Sequence, residues 1–142
     1  MQVDKLVKGK FLLLVADDLY SKDDIMVCLE HELCVLAKRV ENPERFGVFL
    51  LEDNKIKDVI EKPKTFVGNL INTGCYVFDE RIFEELKNLK KSERGEYELT
   101  DALKELAKKA DVFCEEVKHF YIPIGYPEDL KKAEEVLKNT IT

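Results

Sequence analysis

Three short runs hold the side chains best suited to chemistry. Asp17-Asp18 directly follows the apolar run Phe11 to Ala16, and Glu61-Lys62-Pro63 closes a second apolar segment. Asn72-Thr73-Gly74 opens a third, Cys75-Tyr76-Val77-Phe78. A carboxylate at the carboxyl end of a strand can hold a magnesium ion that bridges phosphates, although an acid there also serves as a helix cap. A lysine neutralises phosphate as a point charge, and a neighbouring glutamate accepts hydrogen bonds from sugar hydroxyls, while a proline stiffens the loop that presents them. The same tripeptide also reads as an exposed ion pair at a strand end. Glycine at position 74 lets a ligand approach the backbone, or it marks a β-bulge without a ligand. Arg45-Phe46-Gly47 repeats that choice one segment earlier. Together these runs describe a pocket for a polar, phosphorylated ligand.

Other chemistries are missing. The six glycines are scattered, with no G-x-G-x-x-G or G-x-x-x-x-G-K-[ST] run to cradle a nucleoside triphosphate. No G-x-S-x-G elbow or H-E-x-x-H helix occurs. Four cysteines without C-x-x-C spacing, and only two histidines, argue against structural zinc. The cysteines read as reduced, buried small hydrophobes, and His31 and His119, with no carboxylate partner nearby in sequence, read as structural. A net charge of −6 with interspersed lysines argues against nucleic acid. The apolar runs are too short to cross a bilayer, and no secretion signal opens the chain, so the expected compartment is the cytoplasm. Abundant Lys and Glu with a single Gln suggest a thermophile.

The elements that must position these residues follow from periodicity. At 142 residues, without repeats or linkers, the chain reads as one domain, 1–142. Lys10 to Val15 is predicted as a strand covered on both faces of a parallel or mixed sheet. A helix capped by Ser21 or Asp23 follows to about Glu32, then a strand from Leu33 to Val40 and a turn at Asn42-Pro43-Glu44. Segments 47–51 and 56–60 flank Glu52-Asp53-Asn54-Lys55 as a β-hairpin. Leu70-Ile71 and Gly74 to Phe78 form a further strand, and Asp79 caps a helix to about Leu89. A polar loop at 92–95 leads to a helix ending near Ala110, with Leu99, Leu103, Leu106 and Ala107 on its buried face. Short strands at 112–117 and 120–124 precede a last helix from Pro127, with Leu130, Ala133, Val136 and Leu137 turned inward. The alternation makes the fold α/β.

In order along the chain, "VADDLYSKDD", "NPERFGVFL", "IKDVIEKPK", "NLINTGCYVFDERIFEEL", "SERGEYELTDALKELA" and "IGYPEDLKKAEEVL" resemble the sugar-phosphate nucleotidyltransferases, in particular glucose-1-phosphate thymidylyl- and uridylyltransferases. The likeness runs from about Lys10 to the C-terminus. It implies a truncated Rossmann-like fold, a mixed central sheet with flanking helices and a β-hairpin. It also implies transfer of a nucleotidyl group from a nucleoside triphosphate to a sugar 1-phosphate, with Mg²⁺. By position, Asp17 resembles the metal ligand, Gly47 a backbone donor to the sugar, and Glu61 the sugar-hydroxyl acceptor. Lys62 resembles the cation that grips the sugar phosphate and is the expected catalytic residue, while Asn72, Thr73 and Gly74 resemble the loop lining the sugar pocket.

Two departures bear on activity. Met1 to Gly9 stands where the family carries its G-x-G-T-R-L triphosphate loop, and Pro123 stands where a second metal-binding Asp is expected. The expectation is a sugar-1-phosphate-binding portion, resembling the C-terminal part of the enzyme, that does not turn over alone. The alternative is a noncatalytic binding or regulatory subunit. It would associate with itself or with a full-length partner through a bared sheet edge, meeting the nucleotide only with that partner.

Overall fold

The computed structural model describes residues 3–93 and 95–141; Arg94, within the predicted polar loop and one of the quoted runs, lies outside them, as does Met1. The strands are β1 (Phe11–Leu14), β2 (Asp18–Tyr20), β3 (Cys34–Arg39), β4 (Gly47–Glu52), β5 (Lys55–Glu61), β6 (Leu70–Phe78), β7 (Phe113–Glu116) and β8 (Tyr121–Pro123). The helices are α1 (Lys22–Cys28), α2 (Arg81–Lys87), α3 (Leu99–Ala107) and α4 (Pro127–Ile141), with a 3₁₀ turn at Pro43–Arg45. The main sheet runs β1-β6-β3-β7-β5-β4, and β2 pairs with β8 in a separate antiparallel ribbon. Among the described residues only β3 and β7 pair in parallel, so the sheet is mixed, and with its flanking helices it is the expected α/β arrangement.

Period-two alternation sorts the centre of the sheet. On β3 and β6, Val35, Ala37, Tyr76 and Phe78 face a core shared with α2 and α3. Cys34, Leu36, Cys75 and Val77 face Cys28 and the apolar side of α1. Three cysteines therefore meet under one helix, and all four are free and buried, as the sequence suggests. The hairpin closes through Asp53 and Asn54, both left-handed (φ 51° and 60°), the twist a tight β-turn needs. Asp79 Oδ1 accepts the Arg81 amide (3.0 Å) at the start of α2, in line with its predicted capping role.

Several expectations are corrected. β1 is not covered on both faces: it pairs with β6 alone among the described residues, and Leu12, Leu13, Leu14 and Val15 are 37–40% exposed. An apolar run marks a strand but does not say how many neighbours that strand has. α1 stops at Cys28, short of Glu32, where Lys10 Nζ donates to the carbonyls of Leu29 (2.9 Å) and His31 (3.4 Å) that its end leaves open. On α4, Ala133 is buried, but Leu130 and Leu137 are exposed along an apolar groove with Leu19 and Ile124. Both histidines have carboxylate partners, far away in sequence: His31 Nε2 lies 2.8 Å from Glu115 and His119 Nδ1 lies 2.9 Å from Asp24. No helix among the described residues is long and apolar enough to cross a membrane.

Candidate sugar-phosphate site

A register defect in β6 shapes the site. Leu36 of β3 faces Cys75 and Ala37 faces Asn72, so Thr73 and Gly74 are two extra residues that bow β6 outward. The segment is thus a β-bulge, and the bow carries Gly74 to the wall of a cavity of about 530 Å³. Gly74 is left-handed (φ 78°), and a Cβ there would meet the Val15 methyls at 2.8 and 2.9 Å, so glycine is required on both counts. Two bonds secure the bow. The Val15 amide donates to the Gly74 carbonyl (3.1 Å), and the Tyr20 hydroxyl donates to the Thr73 carbonyl (2.6 Å).

The same bonds decide which groups stay open. Thr73 Oγ1 donates to the Leu36 carbonyl (2.7 Å) and is buried. Asn72 donates to the Tyr76 hydroxyl (2.6 Å) and accepts the Gly74 amide (3.0 Å). Burial pushes the Tyr76 phenol up to about 12, so it stays neutral. These three residues line the cavity with their side-chain polar groups and the Gly74 amide already engaged within the fold.

The β4–β5 hairpin supplies the facing wall. Gly47 pairs with Glu61, and the Lys62 amide donates to the Phe46 carbonyl (3.0 Å), so both halves of the predicted motif arrive together. Thr100, at the start of α3, donates to Glu61 Oε2 (3.0 Å), a positioning contact 39 residues away in sequence. Lys62 is exposed, with its backbone in the left-handed region (φ 43°). That conformation is uncommon for a residue with a side chain and is typical of ligand clamps.

The third wall comes from the β2–β8 ribbon. Asp18 accepts the Tyr121 hydroxyl (2.8 Å) and the Ile124 amide (3.2 Å), which pins the Pro123-Ile124-Gly125 segment to the cavity. Burial raises the Asp18 carboxyl above its ordinary value, partly offset by those bonds. Asp17, by contrast, is exposed on the cavity wall and has no hydrogen-bond or ion-pair partner among the described residues. The adjacent acids therefore divide into one structural and one open carboxylate. No group of three potential metal ligands occurs among the described residues. A single open carboxylate suits Mg²⁺, which takes its remaining sites from substrate phosphates and water; it does not suit an all-protein cage.

The structure thus brings Asp17, Gly47, Glu61, Lys62, Asn72, Thr73 and Gly74 to one cavity. Sequence reasoning missed Asp18 as a fastener, and also Tyr20, Thr100 and Tyr121, whose partners are revealed only by folding. Arg45 and Phe46, left open in the sequence, line the cavity as well. A larger cavity of about 620 Å³ between α2 and α3 is lined with lysines, but Lys109 is bound to Glu85 (2.7 Å) and Lys104 to Asp58 (2.7 Å). Two of its lysines are therefore already paired with acids.

Comparison with known proteins bears on the family and the fold. The family model described as nucleotidyl transferase matches residues 2–140. The bifunctional protein GlmU of Methanocaldococcus jannaschii is 41% identical over 130 residues, covering 91% of this chain and 32% of the relative. A bifunctional sugar-1-phosphate nucleotidylyltransferase/acetyltransferase of Sulfurisphaera tokodaii is 35% identical, covering 81% of this chain and 30% of its own length. The chain thus spans about a third of these relatives. A solved UDP-glucose pyrophosphorylase in complex with UDP-glucose superposes with a TM-score of 0.80 at 27% identity, over 97% of this chain and 59% of that one.

Proposed function

The chain belongs to the nucleotidyl transferase family, and on that premise we propose that its cavity receives the sugar 1-phosphate in nucleotidyl transfer from a nucleoside triphosphate. One observation carries the reading: residues scattered from Asp17 to Gly74 line one cavity that joins an exposed lysine, a positioned glutamate and an open carboxylate. In the reaction, a phosphate oxygen of the sugar 1-phosphate attacks the α-phosphorus, the bond to the bridging oxygen breaks, and pyrophosphate leaves. Such a step needs positioning and charge neutralisation more than covalent help. Lys62 would hold the sugar phosphate, and Glu61, steadied by Thr100, would accept from the sugar hydroxyls. The backbone bow at Thr73 and Gly74 would set the depth of the sugar. Asp17 would hold Mg²⁺, whose charge offsets that of the phosphates.

These 142 residues contain no glycine-rich triphosphate cradle, so the chain by itself is expected to bind the sugar phosphate and not to turn over. Calorimetric titration with glucose 1-phosphate and Mg²⁺ tests the first half, and absence of heat at millimolar ligand overturns it. Appreciable nucleotidyl transfer from UTP or dTTP by the pure chain overturns the second.

A second reading, a binding or regulatory subunit that self-associates or joins a full-length partner, is favoured by β1. Its outer edge pairs with no strand among the described residues, and Leu12 to Val15 are exposed along it. Such edges invite strand addition. Light scattering would show concentration-dependent association that Leu13→Lys abolishes; a clean monomer at high concentration overturns this reading.

A further inference from the structure

Arg45 and Lys62 leave the same end of the β4–β5 hairpin. Between them lies the bond from the Lys62 amide to the Phe46 carbonyl, and both residues line the cavity. Several cations of this fold are neutralised by acids: Arg39 sits on Glu116, Arg81 on Asp79 and Lys55 on Asp111. Arg45 makes no ion pair with a carboxylate among the described residues; only the charge of the neighbouring Glu44 acts on it, without contact. Its Nη2 instead donates to the Tyr126 hydroxyl, and its guanidinium lies 5.4 Å from the centre of the Tyr126 ring. Tyr126 belongs to the loop between β8 and α4, next to the Ile124-Gly125 wall, so the contact ties two walls of one cavity together.

The chemistry of this contact is unusual for a surface tie. A guanidinium has five N–H donors in a planar fork that matches two phosphate oxygens at once. The Tyr126 phenol occupies one donor, and its ring adds a cation–π attraction at 5.4 Å, which holds the group in place without cancelling its charge. A carboxylate would have cancelled it. A phosphate dianion is the stronger acceptor and displaces the phenol wherever the two compete.

We propose that Arg45 is a second phosphate-gripping cation of this cavity, beside Lys62, and that Tyr126 is the rest on which its guanidinium waits until the sugar phosphate takes the fork. This rests on the sugar-phosphate reading above. Arg45 touches the phosphate in the loaded state, and Tyr126 acts only through Arg45.

The test is calorimetry on the intact chain with glucose 1-phosphate and with glucose, comparing wild type, Arg45→Gln, Arg45→Lys, Tyr126→Phe and Lys62→Gln. Arg45→Gln is expected to weaken glucose 1-phosphate roughly tenfold or more while leaving any binding of glucose unchanged. Arg45→Lys should recover only part, because a point charge lacks the fork. Tyr126→Phe should tighten glucose 1-phosphate roughly twofold, since it removes the competing acceptor and keeps the ring. A thermal midpoint for Arg45→Gln close to wild type would exclude a folding defect as the cause. If Arg45→Gln binds within twofold of wild type while Lys62→Gln fails to bind, the proposal for Arg45 falls and the sugar-phosphate reading stands. If wild type itself shows no binding, that reading falls and takes the Arg45 proposal with it.

Discussion

Gly47 and Glu61 face each other across the hairpin so closely that a Cβ on Gly47 would lie 2.8 Å from Glu61 Oε2 and 3.2 Å from Thr100 Cγ2. The glycine thus leaves room for a carboxylate that α3 holds in place. Because the first obstacle is the end of a flexible side chain, Gly47→Ala should move Glu61 off Thr100 before it breaks the sheet. Sugar-phosphate affinity is expected to fall roughly tenfold or more, with a stability cost of about 1–2 kcal/mol. Calorimetry and urea unfolding on the same sample separate the two effects.

Lys62 places its charge from a left-handed backbone. That conformation costs a residue with a Cβ about 1–2 kcal/mol, from which about 0.5–1 kcal/mol of extra glycine entropy must be subtracted. Lys62→Gly should therefore leave stability unchanged or raise it by up to about 1.5 kcal/mol while abolishing glucose 1-phosphate binding. Lys62→Met should lose binding without the gain. A clear destabilisation by Lys62→Gly in urea unfolding would show that the side chain supports the fold.

The neighbouring acids should separate cleanly. Asp17→Asn is expected to leave the unfolding midpoint in place and to remove the difference that Mg²⁺, or its withdrawal with EDTA, makes to glucose 1-phosphate binding. Asp18→Ala strips acceptors from the Tyr121 hydroxyl and the Ile124 amide. It should cost about 1–3 kcal/mol, since donors at that ribbon lose their partner. Magnesium dependence surviving in Asp17→Asn would remove the metal role from that residue.

Stability should carry a histidine signature. Asp24 is buried at the start of α1 and accepts the Lys118 amide, the His119 amide and His119 Nδ1. Burial pushes its carboxyl up, but these bonds outweigh it and hold it below the ordinary value, while the bond to Asp24 raises His119. The raised histidine stabilises fully below its unfolded value of about 6.5, and the effect is lost as pH rises through the folded value. The Asp24 contribution is present above its unfolded value of about 3.9 and is lost as pH falls through the lowered folded one. The gap in thermal midpoint between wild type and His119→Ala should be widest near pH 5.5 and shrink toward pH 9, and a gap independent of pH would contradict this.

Much of the site was legible because local chemistry announces it. Glu61-Lys62-Pro63 and Asn72-Thr73-Gly74 stood out by composition, and the hairpin between Gly47 and Glu61 followed from alternation and an Asp-Asn turn. Periodicity could not tell a central strand from an outer one, so β1 read as covered. Nor could it tell a helix face packed on the core from one lining an open groove, so Leu130 and Leu137 read as inward. In both cases an apolar side chain carries the same signal whichever neighbour the topology supplies.

By itself, the sequence determined the four helices and every strand but the short β2, that the fold is α/β, and which polar residues interrupt the apolar runs. Those properties depend on a residue's near neighbours along the chain, through steric preference and the periods of strand and helix. Only the tertiary structure decided that Asp18 is fastened while Asp17 is open, that Thr100 steadies Glu61, and that Arg45 rests on Tyr126 rather than on an acid. Each of these pairs joins distant parts of the chain or turns on such a pairing, and hydrogen bonds of about 3 Å form only after the sheet has set its register.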